Sequence, residues 1–462
     1  MTNIAQFFED LKGKKVAFIG IGVSHRQVIK MLLKKGIDIC ICDRKSREEL
    51  GDDYINFCNL GAEFSLGEEY LNSIWGADII FRTPGMYYNH PALIKARQMG
   101  KIITSEMEIF FELCPCKIYA VTGSDGKTTT TSIIAKLFES EGKTVHLGGN
   151  IGRALLPIIE EINEEDVAVV ELSSFQLISM TTSPDVAVIT NISPNHLDVH
   201  GTMEEYIDAK KNLILHQGQN SKAVLNLDNE LSRQFVPLVR GELIEFSRRE
   251  IPEKGAFLGS DGYIYFSNHD NATRLFKSEH IRIPGEHNIE NFLAAISAVQ
   301  GEVSEQNMHM VALEFRGVEH RIEFVREKDG VKWYNDSIAT SPTRTIAGLN
   351  AFNQKLIIIA GGYDKEIPFE PLAPIVNRRV KALILMGQTA DKIEKAVRSE
   401  VNYDNKSIQI RHADNMEGAV AIANEIARSG DIVSLSPASA SFDKYDNFEQ
   451  RGQHYKDIVN SL

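Results

Sequence analysis

Residues 117–142 of this 462-residue chain place an apolar segment, a glycine-bearing loop and a helical segment in immediate succession, which restricts the possible folds sharply. Lys117 to Val121 reads as a short buried strand. The loop is Val121-Thr122-Gly123-Ser124-Asp125-Gly126-Lys127-Thr128-Thr129. Behind it, Ile133, Ile134, Leu137 and Phe138 recur at helical spacing, and Gly142 stands where such a helix would stop. Glycines let backbone N–H groups turn inward around a polyphosphate, and the helix N-terminus adds a favourable dipole. Lys127 would place a point charge on the terminal phosphates, and the Thr128 hydroxyl would ligate Mg²⁺. The pattern is the short G-x-x-G-K-T, because Val121 occupies the first glycine position of the longer form. A glycine-rich turn capped by threonines is the alternative. The Lys-Thr pair between strand and helix favours ATP or a related nucleotide.

A chain of this length exceeds one ordinary core and points to roughly two to four domains. The net charge of −13 argues against a nucleic-acid or anionic-membrane partner, while leaving room for a local basic pocket. No apolar run reaches membrane-spanning length, and Met1 to Leu11 lacks a basic start followed by an apolar stretch. The expected location is therefore the cytoplasm. The five cysteines fit a reducing compartment. Cys40 and Cys42 alternate on a strand-like run, and Cys114-Pro115-Cys116 offers too few ligands for zinc, so buried or half-exposed thiols are expected.

Apolar strands alternate with helical segments three times over. Lys15 to Gly20, Asp38 to Asp43 and Ala77 to Phe81 form a first set, with Val28, Ile29, Leu32 and Leu33 making a helical face between the first two. Lys117 to Val121, Val167 to Leu172, Asp185 to Thr190 and Lys222 to Leu227 form a second. Lys355 to Ala360, Ala382 to Met386 and Asp431 to Leu435 form a third. Near-continuous Val/Ile/Leu strands of this kind imply parallel sheets covered on both faces. Phe246 to Ile283, with its Gly259-Ser260-Asp261-Gly262 turn, reads instead as an antiparallel addition. The expected fold is α/β in three domains. A Rossmann-like segment spans 1–108, a phosphate-loop ATPase-like sheet spans 109–317, and a second Rossmann-like segment spans 318–462.

Several strand ends carry chemistry. Gly20-Ile21-Gly22-Val23-Ser24-His25 followed by Asp43 is similar to a dinucleotide-binding turn, where the acid holds a ribose. With His25 at the third glycine position, a dehydrogenase and a nucleotide-diphosphate binder both remain open. Glu171 ends an apolar strand beside the phosphate loop, where Mg²⁺ needs a hard oxygen ligand; a helix N-cap acid is the alternative. The next strand ends at Asn191-Ile192-Ser193-Pro194-Asn195-His196-Leu197-Asp198, which places His196 at the same sheet edge. Asn288 and Asn291 share one face near a helix start, where amides either read an adenine edge or cap the helix.

Together these pieces resemble the Mur ligase family, ATP-dependent amino-acid-adding enzymes of peptidoglycan precursor synthesis and hence of cell-wall biogenesis, cell shape and division. The resemblance extends to Lys210 in Tyr206-Ile207-Asp208-Ala209-Lys210, to His287–Asn291 and to His320-Arg321. It implies ATP binding by Gly123, Ser124, Asp125, Gly126, Lys127, Thr128, Thr129, Asn288, Asn291, Arg321 and Asp336. Two Mg²⁺ ions are implied on Thr128, Glu171, His196 and Lys210, the last carbamylated, with Lys127, His196 and Lys210 catalytic. Asn335–Thr340, Gly361–Lys365, Leu435–Asp443 and Asn447–Gly452 look like the D-glutamate-adding branch. An acceptor, UDP-N-acetylmuramoyl-L-alanine, is then implied on Ser24, Asp43, Arg44, Thr83, Pro84, Gly85 and Asn150, and D-glutamate on Thr340, Lys365, Ser441 and Phe448. A monomer is expected. The D-N-P-R and D-G-A-H-N-P motifs of other branches are absent. Ile338 replaces a usual lysine and His25 a small residue, so another amino acid for the same reaction is the standing alternative, and Lys365 is expected to carry more of the anion binding.

Overall fold

The computed structural model describes residues 3–195, 197–401, 403–404 and 407–462. Its first sheet contains β1 (Lys15–Ile19), β2 (Asp38–Asp43), β3 (Glu63–Leu66), β4 (Ile79–Phe81) and β5 (Ile102–Thr104), in the order β3-β2-β1-β4-β5. The second contains β6 (Lys117–Thr122), β7 (Val145–Gly149), β8 (Val167–Glu171), β9 (Val186–Ile189), β10 (Lys222–Asn226) and β11 (Glu242–Phe246), in the order β11-β10-β9-β6-β8-β7. Every pairing in these two sheets is parallel. An antiparallel sheet follows, built from β12 (Lys254–Leu258), β13 (Tyr263–Asn268) and β14 (Asn271–Lys277). It is the expected addition.

A last sheet takes β15 (Glu323–Lys328), β16 (Val331–Asn335), β17 (Leu356–Ala360), β18 (Val380–Leu385), β19 (Gln409–His412) and β20 (Ile432–Leu435), in the order β15-β16-β20-β17-β18-β19. It is parallel except for the hairpin of β15 with β16. The chain is thus α/β with mainly parallel sheets and one small antiparallel sheet.

Strand pattern explains the cores. All five residues of β17 are buried, and alternate side chains serve opposite faces: Leu356 and Ile358 join one apolar cluster, Ile357 and Ile359 the other. Burying one such aliphatic side chain contributes about 1.5–3 kcal/mol. The described chain forms two compact units, Met1–His280 with Ile289–Ala312, and Ile281–Asn288 with Leu313–Leu462. In the first unit a single cluster runs from Phe18 and Val28 through Phe110 to Leu156 and Ile189. Its bridge is the helix Glu106–Leu113, of which Glu112 alone is not buried. Among the described residues no helix is long and apolar enough to cross a membrane. All five cysteines are free; Cys42, Cys114 and Cys116 are buried, Cys40 half-buried and Cys58 exposed.

The topology sets the chemistry at strand ends. β6 lies between β8 and β9, and β1 between β2 and β4, so the loops after β6 and β1 open at the points where strand order reverses.

Candidate active site

Gly123 and Gly126 have φ values of +156° and +78°. A Cβ at Gly123 would lie 1.9 Å from Thr190 Oγ1, and one at Gly126 would lie 2.3 Å from Asn291 Oδ1. Glycine is required at both, by close approach at the first and by left-handed backbone at the second. The loop is fastened to the segment after β9. Ser124 N donates to Asn191 O at 2.8 Å, Asp125 N to Asn191 Oδ1 at 2.9 Å, and Ser193 N to Ser124 Oγ at 2.8 Å. Thr128 and Thr129 then lie in the first turn of the helix Lys127–Ser140.

Two lysines converge on this loop. Lys127 Nζ donates to Gly123 O at 3.0 Å and Ser124 O at 2.9 Å, while Lys210 Nζ donates to the same Gly123 O at 2.9 Å and to Thr122 Oγ1 at 3.2 Å. Lys210, on the helix Met203–Leu215, is only 1% exposed. Burial first, then the charge of Lys127, holds its ammonium well below the ordinary lysine range.

Glu171 ends β8, paired with Val121 across from the loop. It is 1% exposed; Oε1 accepts from Asn150 Nδ2 at 2.7 Å, and Oε2 has no partner among the described residues. The N-cap alternative does not hold, because Ser173 caps the helix Ser174–Leu177 in a reciprocal box with Gln176. A buried carboxylate oxygen left open beside a threonine-bearing phosphate loop suits a hard divalent cation. Asn150 is thereby brought to the Glu171 carboxylate. His196 lies outside the described residues.

The two asparagines separate in role. Asn291 Oδ1 accepts from Thr130 Oγ1 at 3.2 Å, beneath Gly126, whereas Asn288 Nδ2 donates to Pro284 O at 2.6 Å.

After β1, Gly20 adopts φ +81°, with Thr83 Cγ2 3.6 Å from where its Cβ would be, so the Thr83-Pro84-Gly85 turn adjoins the glycine turn. Asp43 Oδ2 accepts from Ile21 N at 2.8 Å and Oδ1 from Lys45 N at 3.0 Å, so this acid shapes the turn. Ser24 sits half-buried in the first turn of the helix Val23–Lys34. Arg44 lies against Tyr70, with Nε 3.2 Å from its hydroxyl. His25 packs under the turn, with Nδ1 2.8 Å from Gly20 O and its ring edge-on to Phe18; burial pushes its pKa down to about 4. A neutral ring filling space explains why histidine is accepted there.

In the other unit, Asp336 follows β16 and is buried; its Oδ1 accepts from Ile322 N at 3.2 Å. Burial raises its carboxyl to about 7 against the pull of Arg321 and Arg344. His320 and Ile322, on either side of Arg321, take φ of +62° and +43°, a strained shape held by Asn335 Nδ2 on His320 Nδ1 at 2.9 Å. Ile338 O accepts from Arg344 Nη1 at 3.3 Å. Thr340 N closes back on Ile338 O at 2.8 Å. Lys365 Nζ lies 5.3 Å from the ring centroid of exposed Phe442, beside buried Ser441. Phe448 opens the last helix, and its carbonyl accepts from Ser337 Oγ at 2.8 Å.

Arg451 was not singled out from sequence, although it lies inside the Asn447–Gly452 motif. It is buried, and donates to Ser337 O at 2.9 Å, Ser337 Oγ at 3.0 Å, Ala440 O at 3.0 Å and Ser439 O at 3.1 Å. It ties the Asp336–Thr340 turn to the Ser436–Phe442 loop. The residue Arg82 was missed too. Its only sequence signal is a charge directly after Ile79-Ile80-Phe81.

A phosphate loop with two lysines on one carbonyl, facing a strand-end carboxylate, defines a nucleotide-dependent phosphoryl-handling enzyme. Residues 121–299 match the family described as Mur ligase middle domain, and residues 320–439 match Mur ligase, glutamate ligase domain. The UDP-N-acetylmuramoylalanine–D-glutamate ligase of Acetivibrio thermocellus is 51% identical over 463 residues, covering 100% of this chain and 99% of that relative. Its counterpart from Clostridium acetobutylicum is 50% identical, covering 99% of this chain and 98% of its own. The solved UDP-N-acetylmuramate-alanine ligase of Thermotoga maritima shares the fold, with a TM-score of 0.56 at 16% identity, covering 97% of this chain and 99% of that one. The chain belongs to the Mur ligase family, and membership implies dependence on ATP and Mg²⁺.

Proposed function

We propose that this chain is the ligase that joins D-glutamate to UDP-N-acetylmuramoyl-L-alanine at the expense of ATP, in peptidoglycan precursor synthesis. The observation that carries the reading is the convergence of Lys127 and Lys210 on Gly123 O, opposite the open oxygen of Glu171. A phosphoryl group moving between two anions needs concentrated positive charge and little else. Lys127 neutralises the departing phosphoryl oxygens, and the inward N–H groups of Gly123–Thr129 hold the polyphosphate. The acceptor carboxylate takes the γ-phosphoryl group of ATP as the β–γ bond breaks and ADP leaves, giving an acyl phosphate; the D-glutamate amine then attacks its carbonyl carbon, loses a proton, and phosphate leaves as the amide forms.

Thr128 and Glu171 would hold one Mg²⁺, and His196 with carbamylated Lys210 a second. Bound there, the ions supply charge neutralisation at the transferring group. Lys210 is suited to carbamylation because burial, with the charge of Lys127, lowers its pKa well below the ordinary lysine range and so favours the neutral amine that captures CO₂. Arg321 and Asp336 contact the nucleotide, assisted by Asn288 and Asn291. Ser24, Asp43, Arg44 and Thr83–Gly85 serve the UDP-sugar, with Asn150 between acceptor and metal. Thr340, Lys365, Ser441 and Phe448 serve D-glutamate. The chain acts as a monomer in the cytoplasm, with the acceptor, nucleotide and amino acid handled by segments 1–108, 109–317 and 318–462.

Phosphate release from ATP, measured over a panel of D- and L-amino acids, tests the reading. Release should require the UDP-muramoyl substrate, Mg²⁺ and D-glutamate together. Equal turnover with meso-diaminopimelate or L-alanine would remove D-glutamate and leave the ligase class standing.

A further inference from the structure

We propose that Arg82 is a positioning residue that locks the acceptor turn Thr83–Pro84–Gly85 to the loop behind Glu171, so that the acceptor carboxylate meets the phosphoryl site in register. The inference rests on the acceptor role proposed for that turn. Arg82 directly follows β4 and is 1% exposed. Its backbone N–H donates to Thr104 O at 2.8 Å, which holds the main chain against β5. One guanidinium edge then serves the turn: Nη1 donates to Met86 O at 3.0 Å and to Thr83 O at 3.3 Å. The other nitrogen crosses to the second sheet, where Nη2 donates to Phe175 O at 2.9 Å and to Ser179 Oγ at 3.2 Å. Both partners lie just after Glu171, on and beyond the helix Ser174–Leu177.

A planar guanidinium holds its donors in a fixed fork, which suits it to fastening two loops at a set spacing; a lysine ammonium is a point charge on a flexible stem and does not fix that geometry. Burying it is costly unless something balances the charge. Glu108, on the helix Glu106–Leu113, offsets part of that cost: burial raises its carboxyl to about 7, but each group's charge still favours the ionised form of the other. The pair is incompletely bonded. Arg82 Nε and Glu108 Oε2 both lack a hydrogen-bond partner among the described residues. An arginine kept solely for stability would be expected to spend its donors on the core; here all four bonds end on two loops of the site.

The test compares wild type with Arg82→Lys and Ser179→Ala, by steady-state kinetics, calorimetric titration with UDP and thermal unfolding. Arg82→Lys should raise the acceptor KM and the UDP dissociation constant about tenfold, with the ATP KM changed by less than about twofold. Ser179→Ala removes one of the four bonds, and should raise the acceptor KM about two- to fivefold with an unchanged unfolding midpoint. Unchanged acceptor KM and UDP affinity in Arg82→Lys would overturn the proposal, as would a parallel rise in every KM with a lowered midpoint. If Arg82→Lys does not fold, an unchanged acceptor KM in Ser179→Ala overturns it instead. Wild type that binds UDP without turning over D-glutamate removes the amino-acid reading, and the UDP titrations still decide on Arg82. Wild type that does not bind UDP overturns the acceptor turn and this proposal with it.

Discussion

Lys210 and its neighbour Lys211 show how burial separates two adjacent identical residues. Lys210 is enclosed against Gly123, whereas Lys211 pairs on the surface with Asp208 at 2.7 Å, an i,i+3 contact of the kind contributing at most about 1 kcal/mol. Lys210→Ala should therefore lose activity by about 10²-fold or more and regain part of it with added short carboxylates, while Lys211→Ala stays near wild type. Phosphate-release rates with and without formate or acetate check this. Asp336 gives a second expectation at this scale. Its folded pKa, raised from 3.8 to about 7, means the native state holds the proton more tightly than the unfolded chain does. Its stabilising contribution is therefore full below 3.8 and falls as pH rises towards about 7, with no further change above. Asp336→Asn cannot titrate, so its stability relative to wild type should climb across that window and then level off in urea unfolding. A pH-independent difference would contradict the assignment.

Elements whose central residues form an apolar run were legible in the sequence, and elements at sheet margins were not. β1, β2 and β4 of the first sheet, β6, β8, β9 and β10 of the second, and β17, β18 and β20 of the last all appear as Val/Ile/Leu runs. β3, β5, β7, β11, β15 and β19 did not stand out, and each is the edge of its sheet. An edge strand is covered on fewer sides, so residues such as Glu63, Lys328 and Arg411 are tolerated and the run is broken. β16 was missed for a related reason: exposed Lys332 and polar Asn335 break up its otherwise buried apolar run, and it joins β15 in an antiparallel hairpin. The candidate site was legible where a motif stated it, at Gly123–Thr129 and Glu171. It was not legible at Arg82 and Arg451, because single buried arginines act through backbone carbonyls that carry no sequence mark. The phosphate-loop helix supplies its own prediction. Gly126 caps it in left-handed backbone against Asn291, so Gly126→Ala combines a conformational cost of about 1–2 kcal/mol with a displaced amide. The ATP KM should rise about tenfold, with the midpoint for D-glutamate little changed.

At the scale of the whole molecule, the first two sheets are joined by more than chain connectivity. The cluster that contains Phe18 and Val28 on one side and Leu156 and Ile189 on the other passes through Phe110 without a gap. Denaturant unfolding of the first unit should follow one transition by tryptophan-independent probes such as amide exchange on β1 and β6, and two separated transitions would contradict a common core. The same packing decides how the protein can be divided. A cut near residue 108 would run through the helix Glu106–Leu113 and leave each fragment with a raw apolar face, so both should bind hydrophobic dyes and precipitate. Exchanging the first 108 residues for those of a distant relative would meet the same obstacle, since the graft must match side chains contributed by the recipient. The proposed acceptor and nucleotide sites are therefore inherited as one piece, and a compound that loosens the first sheet should also disable the phosphate loop it never touches.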